Sequence, residues 1–222
     1  MISKFKKKIF DKLRVYFYYL ITPKSRKFFF ILIYRKFLNF FEFNKNLEKK
    51  SFLVNSWCYK KKILEKNFYM KIGFKKTENF FQKHRSFYLM AKLKEKNLVY
   101  KMGGMAHLNL IYNLIKCYNP KQILETGVAF GWSTLAIILS KSQKSNLISI
   151  DLSYPTKSSY KLVGMAIPSN LKKKFTLLSG IDYEYLYKFV INKKKFDFIH
   201  YDSDKSYLGR KKNYNLIWKI LN

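Results

Sequence analysis

The stretch ILETGVAFGWSTLAIIL, residues 123–139, decides how the rest of the chain is read. It opens on apolar residues that run into an acid, Glu125. Gly127 and Gly131 follow in a short turn, and a helix-forming apolar run begins at Trp132-Ser133-Thr134. Strand, tight turn and helix in that order open a β-α-β unit. Glycine serves where a backbone must come close to a ligand or take a positive φ. The unpaired N–H groups at the start of the next helix face whatever anion lies there. The stretch therefore predicts a cradle for a small anionic molecule.

Working outward, the pattern is regular from about residue 106. A short helix over residues 108–118, ended by Asn119-Pro120, precedes a first strand at 122–126 and a crossover helix at 131–140. Strands are then expected at 147–151, 175–178 and 196–201. A partly helical stretch at 160–173 around Pro168, a helix at 183–191 and a final helix at 206–221 separate and follow them. Strands alternating with helices predict an α/β fold, a Rossmann-like doubly wound parallel sheet covered on both faces. Right-handed crossovers place every strand C-terminus on one edge. Glu125, Asp151, Gly180 with Asp182, and Asp202 with Asp204 collect there. In a chain so short of carboxylates, that gathering is what a ligand site on strand ends requires.

The glycine spacing narrows the ligand. A dinucleotide fold wants G-x-G-x-x-G in the first turn, and the turn here is Glu125-Thr126-Gly127-Val128-Ala129-Phe130-Gly131. A phosphate-binding P-loop is excluded because no Gly-Lys-Ser/Thr follows. E-x-G-x-x-x-G, with an acid closing the next strand, resembles motifs I and II of the class I S-adenosylmethionine-dependent methyltransferases. The run FDFIHYDSDKSYLGRKKNYNLIWKIL, residues 196–221, resembles the fourth motif of their O-methyltransferase-like, macrocin-type branch. The resemblance covers roughly residues 101–222.

That resemblance implies a set of roles. Glu125, Thr126 and Gly127 would hold the methionine end of the cofactor, with Gly131, Trp132 and Ser133 around its carboxylate. Asp151 would accept hydrogen bonds from the ribose hydroxyls, with Leu152 next to it. Ser179, Gly180 and Asp182 would lie beside the adenine. Asp202 would border the cofactor and is the one candidate ligand for a divalent metal such as Mg. Asp204 or Lys205 would be the base, and Lys205 reads equally as a surface lysine. His200, one residue inside the strand, is expected to be packed. Family members continue past the fourth helix with a Gly-Gly turn and three further strands, whereas this chain stops at Ile220-Leu221-Asn222. The expected sheet is thus the first four strands, incomplete at the C-terminus, with strand four as an apolar edge.

Residues 1–100 read as a basic, aromatic-rich helical extension. They carry 26 Lys and Arg against 6 acids, and residues 101–222 carry 19 against 7, for a formal net charge of +32. Such charge draws a chain toward nucleic acid or anionic membrane. It also accompanies the abundance of Lys, Asn, Ile, Phe and Tyr expected from a genome poor in G and C. Phe5, Ile9, Leu13, Phe17 and Leu20, with lysines between them, space as a basic amphipathic helix. Over residues 1–43 this suits either the anionic inner face of a membrane or packing on the main domain. No apolar run reaches the ~18 residues of a spanning helix, and no small-residue cleavage site marks a signal peptide. Basic residues interleaved with aromatics can stack single-stranded nucleic acid, but no RNP, KH, zinc or helix-turn-helix signature supports that. His84 reads as a surface histidine. Cys58 and Cys117 form no CxxC and read as small packed hydrophobes of a cytoplasmic protein. The expectation is a methyltransferase acting on a hydroxyl of a small molecule or sugar. A truncated inactive relative, or a basic membrane-surface or nucleic-acid binder on the same scaffold, stays open beside it.

Overall fold

The computed structural model describes residues 65–74, 76–98, 102–152 and 161–222, together with scattered positions between 13 and 60. Two compact units divide the chain. The first is residues 1–68 with 154–156, and the second is residues 69–153 with 157–222. In the first unit, residues 16–21 are helical and Tyr19 is buried. Most of the amphipathic run expected over residues 2–20 lies outside the described residues, as does Cys58.

The second unit holds the sheet. Its elements are α1 (Phe80–Lys83), α2 (Arg85–Lys96), α3 (Leu108–Tyr118), β1 (Gln122–Thr126), α4 (Trp132–Ser140), β2 (Asn146–Asp151), β3 (Thr176–Ser179), α5 (Asp182–Ile191), β4 (Phe198–Tyr201) and α6 (Tyr207–Ile220). The four strands are parallel in the order β3-β2-β1-β4. The order turns around at β1, so the crevice between β1 and β4 is the switch point at which such sheets bind ligands. The expected α/β sheet is present, with boundaries shifted by one or two residues.

Burial explains the layers. β1 is flanked by strands on both edges and helices on both faces, and its last four residues are buried. Such a strand must be a continuous apolar run broken only where a polar group has partners. α4 is apolar on nearly every side and is buried from Trp132 to Ile138. With α3 it covers one face, in a core that includes Ile111, Ile115, Ile123, Leu135, Ile137 and Leu147. α5 and α6 cover the other, through Leu186, Phe189, Leu216, Ile217 and Ile220 packed on Leu124, Ile148 and Ile150. α3 ends where Asn119 takes a left-handed φ of 43° before Pro120, a helix stop that the sequence announces.

Residues 69–100 belong to this unit rather than to a separate extension. Two asparagines of α3 hold them. Asn113 Oδ1 accepts from the Glu78 backbone N–H at 2.8 Å, its amide donates to the Glu78 carbonyl at 2.9 Å, and Asn109 Oδ1 accepts from Phe80 N–H at 2.8 Å. Glu78 binds Lys83 and Lys116 at 2.6 Å each and accepts from Tyr112 Oη at 2.9 Å. These partners hold its carboxyl well down, at about 2, the Lys116 hydrogen bond contributing most. His84 is not a surface histidine: it is half-buried, with Nε2 3.2 Å from Tyr112 Oη. Cys117, expected to be packed, is exposed. The stretch expected to be partly helical is turns over residues 161–166 and a 3-10 helix at Ser169–Lys174. On the outer side of β4, the backbone N–H of Phe196 donates to Ile220 O at 2.8 Å, and that of Asn222 donates to Phe196 O at 3.0 Å. Leu221 thus forms a parallel bridge to Phe196.

Candidate active site

The turn after β1 is shaped by its neighbours. Gly127 has φ +87°, and a Cβ there would stand 2.6 Å from the Asp202 carbonyl oxygen. Gly127 N–H donates to Ile150 O, and Asp202 N–H to Thr126 O, both at 2.8 Å. β2 and β4 therefore close on the turn from either side, and only glycine fits. Gly131 caps α4 at φ +98°, with Gly164 so near that a Cβ would lie 2.9 Å from its Cα. Gly164 N–H donates to Ala129 O, and Ala166 N–H to Phe130 O, at 2.9 Å each, laying the segment after β2 along the turn.

Asp151 ends β2 beside this turn. Its Oδ2 accepts from the backbone N–H groups of Val128 and Ala129, each at 2.8 Å. Its Oδ1 has no partner among the described residues. Burial pushes its carboxyl above the usual aspartate range, the two amides oppose that shift, and Glu125 adds to it. Leu152, next in the chain, is exposed. At the end of β3, Gly180 N–H donates to Asp151 O at 3.0 Å, while the Ser179 carbonyl accepts from Tyr185 Oη at 3.1 Å.

Several of the expected residues turn inward. The Glu125 carboxylate is fully buried and accepts three hydroxyls: Ser133 at 2.6 Å, Thr134 at 2.7 Å and Ser149 at 2.8 Å. Its Oε1 also lies 3.7 Å from His200 Nδ1, so β1, β2, β4 and the first turn of α4 meet at one buried acid. The Trp132 indole is in the core beside Tyr88 and Phe130, its N–H donating to Glu95 at 3.0 Å. Asp182 is buried and accepts from Ser203 and from Asn213 of α6. Thr126 is also buried, its hydroxyl 3.0 Å from Ser203 Oγ. Asp204 folds back on α6, its Oδ1 accepting from Ser206 N–H at 3.0 Å. A Cβ on Gly209 would overlap that carboxyl group.

What faces outward at the end of β4 is a pair, with Lys205 Nζ 2.8 Å from Asp202 Oδ1 and both side chains largely exposed. Asp202 thus faces a cation of its own chain. Among the described residues, no three His, Cys, Asp or Glu come together as a metal site. Among the described residues, one acid facing a lysine is not a donor set that fits a divalent ion, and no step is assigned to one.

Sequence reasoning missed Ser149, Thr134 and Ser203. They are the hydroxyls that satisfy Glu125, Thr126 and Asp182. Ser149 and Thr134 carried a signal, being polar residues inside apolar runs. Among the described residues, no helix is long and apolar enough to cross a membrane.

Solved structures similar to this one are weak matches. An O-methyltransferase of Bacillus cereus in complex with SAH matches at 16% identity and a TM-score of 0.49, over 70% of this chain and 67% of its own. A putative caffeoyl-CoA O-methyltransferase of Staphylococcus aureus matches at 21% and 0.49, over 64% and 65%. The O-methyltransferase TomG of Streptomyces achromogenes, in complex with SAM, matches at 15% and 0.48, over 72% and 71%. The chain spans about two thirds of the length of the first two. No curated protein sequence matches the chain. A family model described as O-methyltransferase matches residues 82–219, more than half of the chain. That match spans the glycine turn, the acid at the end of β2 and the Asp202–Lys205 pair, and by it the chain belongs to the O-methyltransferase family.

Proposed function

We propose that this chain is a class I S-adenosylmethionine-dependent methyltransferase that acts on a hydroxyl group of a small molecule or sugar. One observation carries the reading. A glycine turn opening a helix, an acid tied to that turn, and a Lys–Asp pair share the strand-end edge at the sheet's switch point.

The residues present suit the cofactor. Asp151 keeps Oδ1 for a hydroxyl donor while Oδ2 is occupied, as a ribose diol requires of an acceptor-only group. The first-turn amides of α4, at Trp132 and Ser133, have no intrahelical partner and would receive the methionine carboxylate. Gly127 and Gly131 bring the backbone close. Leu152, Ser179 and Gly180 would flank the adenine. Glu125, Thr126, Trp132 and Asp182 would support the cradle from behind, given where their side chains point.

When bound, the cofactor supplies a methyl group on a positively charged sulfonium. The chain has to orient the acceptor hydroxyl and receive its proton, the two requirements of an in-line displacement. Lys205 is the better supported base, because Asp204 is committed to the start of α6. Its Nζ would take the proton, held in place by Asp202.

The test is labelled-methyl transfer from S-adenosylmethionine to a panel of phenols, alcohols and sugars. The reading expects transfer to oxygen and a fall in kcat of about 10²–10⁴ in Lys205→Met with S-adenosylhomocysteine binding retained. Transfer only to nitrogen would overturn the acceptor assignment. An unchanged kcat in Lys205→Met would remove the lysine from the reaction.

A further inference from the structure

The layer formed by α5 and α6 has an outer side that the site does not use. Outward, α5 presents Tyr183, Tyr187 and Ile191, which are 42, 51 and 61% exposed, and α6 presents Tyr214 and Trp218, which are 44 and 71% exposed. Residues four apart share one side of a helix, so each helix carries an exposed, largely aromatic stripe. The Tyr183 and Tyr187 rings stack with centroids 6.5 Å apart. Aromatic residues exposed in a row along a helix mark an interaction site, whereas singly scattered apolar residues do not.

Cations surround the stripes. Lys188, Lys193, Lys195, Arg210, Lys211 and Lys219 are all exposed. Lys195 Nζ donates to the Lys219 carbonyl at 2.9 Å, which joins the loop after α5 to the end of α6. The Ile191 and Trp218 ends thus share the margin at the strand N-termini, opposite the edge that carries Asp151 and Asp202. Acids are scarce here. α6 has none, Asp182 of α5 is buried and Glu184 is half-buried. Asp197 is engaged by the Lys121 and Gln122 amides and by Asn222.

Charge decides among occupants. A second copy would set two basic faces against each other. Residues 1–68 carry 18 Lys and Arg against 4 acids, the same sign again. Ile191 offers a nucleic acid nothing to stack on and no contact for a phosphate. Tyr and Trp beside an aliphatic residue, ringed by lysines, match the headgroup boundary of an acidic bilayer. We propose that the α5–α6 face docks on an anionic lipid surface. Ile191 and Trp218 enter the headgroup–acyl boundary, and the surrounding Lys and Arg lie over acidic headgroups. The cofactor edge then points away from the bilayer and stays open to water.

The test uses the full chain and vesicles of phosphatidylcholine, alone or with about 30% phosphatidylserine. Binding is expected only with phosphatidylserine, and to fall about fivefold for each lysine neutralised in Lys193→Gln and Lys195→Gln. Brominated acyl chains are expected to quench tryptophan emission in the wild type and in Trp57→Phe, and to lose most of that effect in Trp218→Phe. All these residues are exposed or remote from the core, and an unchanged urea midpoint checks the fold. Quenching lost in Trp57→Phe but kept in Trp218→Phe would overturn the proposal in favour of the N-terminal residues. Equal binding to neutral vesicles would overturn it as well. So would a dimer abolished by Trp218→Ala, or an oligothymidylate that binds through Trp218 where vesicles do not.

Discussion

Replacing Gly127 by Ala tests the turn on which the site is built. The new Cβ would stand 2.6 Å from the Asp202 carbonyl oxygen, 2.8 Å from its carbon and 3.1 Å from Ser203 N. All three obstacles are backbone, pinned by the Asp202–Thr126 and Gly127–Ile150 hydrogen bonds, so no side chain can swing aside. A left-handed φ costs alanine about 1–2 kcal/mol, and forced displacement of packed backbone about 1–3. The stiffer unfolded chain returns about 0.5–1. The net loss is about 1–4 kcal/mol, which at a urea slope of about 2 kcal/mol/M lowers the midpoint by about 0.5–2 M. Gly104→Ala is the matched control, since no atom lies near its would-be Cβ. Urea titration by circular dichroism reads both. A Gly127→Ala midpoint within about 0.3 M of the wild type would refute the close approach of β1 and β4.

Gly209→Ala should fail to give the gain of up to ~1 kcal/mol usual for Ala over Gly in a helix. The gain should return when Asp204 is also replaced by Ala, a coupling that a double-mutant cycle measures. Glu125→Ala leaves the Ser133, Thr134 and Ser149 hydroxyls buried without their acceptor and is expected to cost about 3–5 kcal/mol in the same titration. A loss below about 1 kcal/mol would mean that the buried acid is not a hub. Glu78 has its folded carboxyl lowered from the ordinary 4.5 to about 2 by Lys116 and Lys83. Its contribution is present above pH 4.5 and lost as pH falls through about 2. The midpoint gap between wild type and Glu78→Gln should therefore be open at pH 5 and closed near pH 2. A gap that does not change with pH would contradict the ion pairs.

The sheet was legible because its signals are local and periodic. The apolar run into Glu125, the two glycines and the repeated acids at strand ends all survive as geometry. Side-chain direction was not legible. Glu125, Asp182 and Asp204 stand at strand ends as expected, yet hydroxyls and amides of Ser133, Ser149, Ser203 and Ser206 draw them inward. Position on a strand says nothing about which partner a carboxylate meets across the fold. The place of residues 69–100 was hidden for the same reason. Asn109 and Asn113 bind backbone some thirty residues away, and no spacing rule reports that. Residues 161–166 are turns, held by backbone bonds from Gly164 and Ala166 to Ala129 and Phe130, with no apolar period to read.

The most direct test of the cofactor site is a calorimetric titration with S-adenosylhomocysteine, wild type against Asp151→Ala. The account predicts equimolar binding by the folded wild type. Loss of a charged acceptor for the ribose hydroxyls, worth about 1.5–3 kcal/mol, predicts binding about 10- to 100-fold weaker in the variant. Folded wild type that releases no heat, or an Asp151→Ala variant with unchanged affinity, would contradict it.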